Sequence, residues 1–250
     1  MSLSIKKTKQ SVGIRDTGGR PCGTYHYEDM FKSFFRGLYS PSGKDVVACP
    51  PVQDPHHKGL QFGLCTSAAN FWEEDEANEP DTKKLPIGKQ QTTKLERLSQ
   101  GIGFTQQILW MTDEQCIFVE TRKISVKEAP KAYVWTWQTT FVVSQDVQII
   151  KSVWGVPSYC GLGLRLASDL FQEGEVRPLE AKCGTTPTWV SFRGKGVEVK
   201  FEQDASQANA LFLSTYQTAG FAFMSLVPKP CELKQGASLE LRYVITVSDV

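Results

Sequence analysis

Only three histidines occur in the 250-residue chain, His26, His56 and His57, and all fall in its first quarter. Imidazole has an ordinary pKa of about 6.5, so it gains and loses a proton near neutrality. A scarce, clustered set of them marks where acid–base chemistry could occur. His56 and His57 are adjacent, in the stretch DPHHKGL at residues 54–60. Pro50, Pro51 and Pro55 stiffen the approach, and Gly59 permits a tight turn. Neighbours in a regular strand point to opposite faces, so the pair shares a site only where the backbone is irregular. The prolines supply a reason for irregularity; the alternative is a plain loop with one packed histidine.

Other residue types extend the list. Glu120 and Arg122 are two apart in a strand-like run and so share a face, where a carboxylate and a guanidinium could grip a pair of hydroxyls. The competing reading is an exposed ion pair of little energetic consequence. Arg165 follows the glycine-spaced run GLGL at residues 161–164, which lets a backbone approach closely, although an edge residue with a snorkelling side chain fits equally well. Trp72 follows the double histidine and opens a polar stretch. The acid–base candidates are thus His26, His56, His57 and Glu120, with Arg122, Arg165, Trp72 and Asp54 as substrate contacts. The same histidines with Asp54 or Glu120 also admit a divalent-metal reading, although no cofactor is required. No catalytic serine triad, phosphate-cradling glycine loop or dinucleotide fingerprint is present.

The elements that must position these residues are strands. Tyr133, Trp135, Trp137, Thr139, Phe141 and Val143 alternate with mostly polar neighbours, as do Leu239 to Val247 and Val197 to Phe201. Period two is the signature of a half-buried strand. The aromatic stripe of residues 133–137 reads as core rather than as an open stacking platform, because a sandwich buries one face of each strand. Further strands are expected at 108–112, 116–126, 147–153, 162–167, 189–193, 210–215 and 221–226. No run of twelve residues carries a helical stripe. The expectation is an all-β chain, two antiparallel sheets packed face to face in one domain spanning residues 1–250. Residues 1–12 are expected to be a flexible segment and residues 73–101 a solvated polar loop.

Composition narrows the function classes. Lys and Arg number 28 against 27 Asp and Glu, a balance without the basic field that nucleic acid binding needs. The longest apolar runs fall far short of the roughly 20 residues of a membrane helix, so no membrane partner is expected. Seven cysteines are scattered without paired spacing, which reads as mostly buried thiols in a reducing compartment. The N-terminus has no apolar signal core. A cytoplasmic location is expected, or a secreted one if a signal peptide was trimmed.

The histidine-bearing segments carry a resemblance. RPCGTYH at 20–26, PHHKGL at 55–60, FG at 62–63 and NFW at 70–72 resemble the PmoA-like family of bacterial proteins. Its members carry R-P-Y-x-H, then P-H-H-R-G-L-x-F-G, then D-F-W. ETRK at 120–123, GLGLRLA at 161–167, TWVSFRG at 188–194 and LELRY at 239–243 continue the match in order. The double-histidine element is the most specific piece. The resemblance implies a galactose-mutarotase-like β-supersandwich, a fold shared by aldose epimerases, polysaccharide lyase and glycoside hydrolase domains, and non-catalytic sugar binders. Despite the family's name, a membrane methane oxygenase is not expected, since its apolar helices are missing. One departure stands out: residues 201–220 lack the His- and Trp-bearing segment of the family, so its role is lost or has passed to Glu202, Asp204, Tyr216 or Gln217.

The leading expectation is a carbohydrate-active protein that binds a sugar on a concave sheet face, with histidine acid–base chemistry of the epimerase, lyase or hydrolase type. The alternatives are a non-catalytic glycan-binding module and a histidine metal site. Sugar identity, reaction and oligomeric state are not readable from the sequence.

Overall fold

A computed structural model describes residues 3–48, 56–74, 85–150, 160–215 and 221–250. Alternating apolar residues set most of the longer strands among the described residues. The first five are β1 (Ser4–Lys7), β2 (Ser11–Arg15), β3 (Pro21–His26), β4 (Phe34–Leu38) and β5 (Leu60–Gly63). Next come β6 (Lys89–Arg97), β7 (Ile102–Met111), β8 (Cys116–Ala129), β9 (Ala132–Val143), β10 (Val147–Ile149) and β11 (Gly161–Leu166). A short helix, α1 (Ser168–Phe171), precedes β12 (Glu175–Arg177), β13 (Trp189–Gly194) and β14 (Val197–Gln203). The chain closes with β15 (Ala210–Ser214), β16 (Ala222–Val227), β17 (Cys231–Leu233) and β18 (Ser238–Asp249).

Among the described residues these strands form two eight-stranded antiparallel sheets and one two-stranded ribbon of β10 and β17. The first sheet runs β1-β2-β3-β4-β5-β11-β16-β15, and the second β12-β13-β14-β18-β9-β8-β7-β6. The all-β, two-sheet architecture expected from the alternation is what the chain adopts. Tyr133, Trp135 and Trp137 are each 1% exposed and belong to the main hydrophobic core between the sheets, as the stripe suggested. Burying one such large aromatic is worth roughly 1.5–3 kcal/mol, which is why one strand face is so apolar.

The first sheet differs from an ordinary half-solvated one. Every residue of β11 and β16 is buried. Leu162, Leu164 and Leu166 face the main core, while a second apolar cluster of Cys65, Trp72, Cys160 and Phe223 covers the other side. Both strands consequently read as nearly continuous apolar runs. The strand register lays one row across that covered face: Ser11, His26, Phe34, Gln61, Gly163, Ser225 and Phe212 are successive partners from β2 to β15.

Two boundaries differ from expectation. The N-terminal segment is not wholly flexible, because β1 pairs with β2 and the backbone groups on its inner side are thereby satisfied. The polar stretch 73–101 is not all loop: Lys89–Arg97 is β6, at the edge of the second sheet. An edge strand tolerates Lys, Gln and Thr, since one face and one hydrogen-bonding side meet water. Of the six described cysteines, Cys22, Cys65 and Cys160 are buried while Cys183 and Cys231 are exposed, so fewer are sequestered than expected; Cys49 lies outside the described residues. No helix among the described residues is long and apolar enough to cross a membrane.

Candidate functional site

The structure divides the candidates between two places. Glu120 and Arg122 alternate inward on β8, both 0% exposed, so they lie between the sheets rather than on an open face. Arg122 Nε and Nη2 donate to the two Glu120 carboxylate oxygens at 2.7 and 2.8 Å. Trp110 Nε1 donates to Glu120 at 2.7 Å, and the Thr139 hydroxyl also donates to it. Arg122 Nη1 reaches the Tyr25 hydroxyl at 2.8 Å, which donates onward to Gln106 at 2.6 Å. Burial works against the Arg122 charge, but Glu120 and Tyr25 outweigh it and its pKa is raised. Every strong donor in this network has an acceptor, the condition under which a buried ion pair is tolerated. Its chemistry is structural. The two-residue spacing predicts the shared face correctly, but not which way that face points.

The second place is the covered face of the first sheet. The ring centroids of His56 and His57 are 4.2 Å apart at 66°. The irregular backbone that the pair required is present. Gly59 has φ +58, and a Cβ there would collide with the Phe35 carbonyl; its own carbonyl accepts the Arg165 backbone N–H at 2.9 Å. A left-handed glycine therefore turns the chain from the histidines into β5.

Each imidazole has a distinct setting. His56 Nδ1 lies 3.3 Å from Glu73 Oε2, and both side chains are nearly sealed from water. The carboxylate lies on the Nδ1 side of the ring, so Nε2 is on the other side. His57 stacks on Phe223 with centroids 4.8 Å apart and planes at 18°, and Arg165 Nη1 lies 3.4 Å from its Nδ1. A guanidinium has only donors, so His57 Nδ1 accepts and the neutral ring carries its proton on Nε2. Burial first, then His56, Arg165 and Lys32, hold the His57 pKa well below its ordinary 6.5.

That depression has a measurable consequence. Between the folded value and 6.5 the unfolded chain binds a proton that folded His57 refuses. Stability is therefore lost as pH falls through 6.5, by up to about 1.4 kcal/mol per unit. His57→Gln is expected to flatten the slope of urea midpoint against pH between about 7.5 and 5. An unaltered slope would contradict the assignment.

Two lysines, Lys32 outside the quoted motifs and Lys58 within PHHKGL, hold the halves of this site together. Lys32, 1% exposed, donates to the carbonyls of Trp72 and, at 3.4 Å, of His56, and pairs with Glu74 at 3.2 Å. Burial pulls its pKa down against the opposing effect of Glu74. Lys58 bridges Glu74 and Asp29, both at 2.8 Å; burial works against its charge, but the two carboxylates outweigh it and its pKa is raised. Gln61 Nε2 donates to the His56 carbonyl at 2.5 Å. Asn70 Oδ1 accepts the backbone N–H groups of Trp72 and Glu73 at 2.9 and 3.1 Å, which sets the Glu73 carboxyl against His56. Lys32, Lys58 and Arg165 balance Asp29, Glu73 and Glu74, so the cluster is close to neutral and its desolvation is offset. Of Glu73 and Glu74, expected to begin a solvated loop, the first is buried and the Glu74 side chain is 6% exposed, because these partners lie on other segments.

The remaining candidates separate. His26 lies on the same register row but two strands from Gln61, roughly 10 Å of backbone. It stacks on Phe34 at 5.5 Å, and burial, then Arg36, lower its pKa. It does not join the histidine pair. Trp72, 0% exposed, packs over Gly163, where a Cβ would stand 2.7 Å from the indole. It forms a wall of the site rather than an open platform. Glu202 points outward from β14 in the second sheet, on the far side of the molecule from the histidines, where it pairs with Lys200 at 2.9 Å. Asp204, just beyond β14, caps Ser206. Asp54, Tyr216 and Gln217 lie outside the described residues. Among the described residues no three His, Cys, Asp or Glu side chains converge as metal ligands.

No curated protein matches the chain. Among solved structures it is similar to a polysaccharide lyase at 10% identity and TM-score 0.42, covering all of this chain and 32% of that one. It is similar to the 4-alpha-glucanotransferase of Thermococcus litoralis at 12% identity and TM-score 0.49, covering 100% of this chain and 39% of the other. A galactose mutarotase-like protein from Lactobacillus casei is similar at 10% identity and TM-score 0.31, with 98% and 100% covered. The chain spans about a third of the length of the first two, at 32% and 39%. None of these likenesses assigns an activity. A family model described as a family of unknown function, DUF6807, matches residues 15–250, and PmoA-like, the name suggested by the motifs, is not the name of that model. By that match over nearly its whole length, the chain belongs to the DUF6807 family.

Proposed function

We propose that this DUF6807 protein is carbohydrate-active, taking a sugar at the covered face of the first sheet with His56 and Glu73 as its proton-transfer pair. The observation that carries the reading is the 3.3 Å contact of His56 Nδ1 with Glu73 Oε2, beside a His57 ring fixed by Arg165. An imidazole beside a carboxylate can take a proton from a sugar oxygen or return one, and a neutral imidazole with its proton on Nε2 donates to an oxygen without adding charge. On a sugar, His56 would act at a ring or glycosidic oxygen while His57 holds a neighbouring hydroxyl. Epimerisation at the anomeric carbon and elimination beside a carbonyl both use this inventory. The sugar assignment leans on the motif resemblance; the proton chemistry leans on the geometry.

A second reading, a glycan-binding module without turnover, is favoured by one observation: His56 and His57 are only 7% and 9% exposed. One experiment separates the two. A panel of free sugars, uronic acids and oligosaccharides is screened by calorimetry and by nuclear magnetic resonance of anomeric exchange. Accelerated exchange or cleavage that His56→Ala abolishes supports the enzyme. Saturable heat without turnover supports the module, and neither signal across the panel ends the carbohydrate reading.

A further inference from the structure

Cys65 and Cys160 lie outside the proton chemistry described above. Cys65 stands just past the end of β5 and Cys160 just before β11, and the paired strands set Gly63 opposite Gly161. Continuing that antiparallel register by one residue puts Leu64 opposite Cys160, with Cys65 on the diagonal. Topology thus brings the two thiols together from distant parts of the sequence. Their Sγ atoms are 2.7 Å apart. Two carbon atoms in contact keep about 3.5–4.0 Å and sulfur is larger, whereas a sulfur–sulfur bond is about 2.05 Å. Both residues are 2% exposed and packed with Trp72 and Phe223.

We propose that Cys65 and Cys160 are a reversible disulfide-forming pair, with hydrogen peroxide or a similar hydroperoxide as oxidant. One thiol, as its thiolate, attacks a peroxide oxygen. The O–O bond breaks, and a sulfenic acid and one water result. The second thiolate then attacks the sulfenic sulfur, forming the S–S bond and expelling hydroxide, which takes up a proton and leaves as water. In sum two thiols lose two hydrogens with two electrons, and the peroxide is reduced to two waters. The apolar cover makes the first step wait on local opening. The second is intramolecular between atoms already adjacent, so it captures the sulfenic acid before further oxidation. In the reduced form Cys65 Sγ also reaches Asn70 Oδ1 at 3.5 Å, the oxygen that holds the Trp72 and Glu73 amides. Forming the bond removes that donor and ties the end of β5 to the start of β11. The pairing of the thiols does not depend on the carbohydrate reading.

The test treats the full chain with hydrogen peroxide, then blocks remaining thiols under denaturing conditions and maps the peptides by mass. The expected product is a Cys65–Cys160 cross-linked peptide pair, about 2 Da lighter than the two reduced peptides together. Dithiothreitol should restore both thiols. The exposed Cys183 and Cys231 serve as comparators that oxidise without joining this pair. Recovery of Cys65 and Cys160 as blocked thiols after the exposed cysteines have oxidised would overturn the proposal. So would sulfinic acid at either position, or a cross-link to a different cysteine. The mapping uses the unaltered protein, so its outcome stands whether or not Cys65→Ser and Cys160→Ser fold. If they do fold, each should leave its remaining cysteine open to higher oxidation.

Discussion

Replacing Glu73 with glutamine is expected, under the proposed proton-transfer reading, to lower turnover of a converted sugar by about 10²–10⁴-fold, the range contributed by a positioned proton-transfer group. The amide keeps the size and hydrogen-bonding reach of the carboxylate, so Asn70 still orders the segment through its contacts with the Trp72 and Glu73 amides. What is lost is the negative charge 3.3 Å from His56 Nδ1. If the pair moves the proton, changing one member alters the pH dependence of the rate as well as its size, so the pH–rate profile of the variant is expected to differ in shape from that of the native protein. A merely structural Glu73 would change stability and leave that shape in place. Rate and profile shape both unchanged would sink the assignment of this pair.

Arg122→Met is expected to cost about 3–5 kcal/mol in urea unfolding, because it strands the Glu120 carboxylate in the interior. Trp110 and Thr139 would remain as its donors, but no positive charge would. The guanidinium also lies over the Trp137 ring, 4.7 Å from its centroid, a contact that methionine only partly replaces. The double variant Glu120→Leu/Arg122→Met should recover most of the loss, since it removes both charges from the sealed space between the sheets. The coupling between the sites is read from the complete double-mutant cycle. A double variant as unstable as the single one would show that the surrounding hydrogen bonds, rather than the charge pair, carry the energy.

Such contrasts show what strand patterning reveals. Period-two alternation suffices for β8, β9, β14 and β18, because burying one face dictates residue type at every second position. It also assigns Glu120 and Arg122 to one face. It does not reveal that this face is the interior, since charged residues on a strand ordinarily point to water. The partners that make burial tolerable, Tyr25, Gln90 and Gln106, come from β3, β6 and β7. Likewise Glu73 and Glu74 sit in an acidic run whose plain reading is a solvated loop, and only the approach of His56, Lys32 and Lys58 explains their burial. Lys32 stands in no pattern that would mark it, whereas Lys58 lies within PHHKGL. One signal for Glu73 is present in the sequence: it directly follows Trp72, in a segment that the histidine motif marks.

Composition, alternation and the rarity of histidine therefore determine an all-β chain, the apolar stripes that face its core, and the double histidine as the place to look for proton chemistry. They do so because each is a property of neighbouring residues or of counts. Which histidine keeps a carboxylate, which is held neutral, and that His26 stays apart were decided by tertiary structure alone. Those outcomes depend on burial and on charges from segments distant in the chain, and an imidazole's protonation answers to the field around it rather than to its neighbours in sequence.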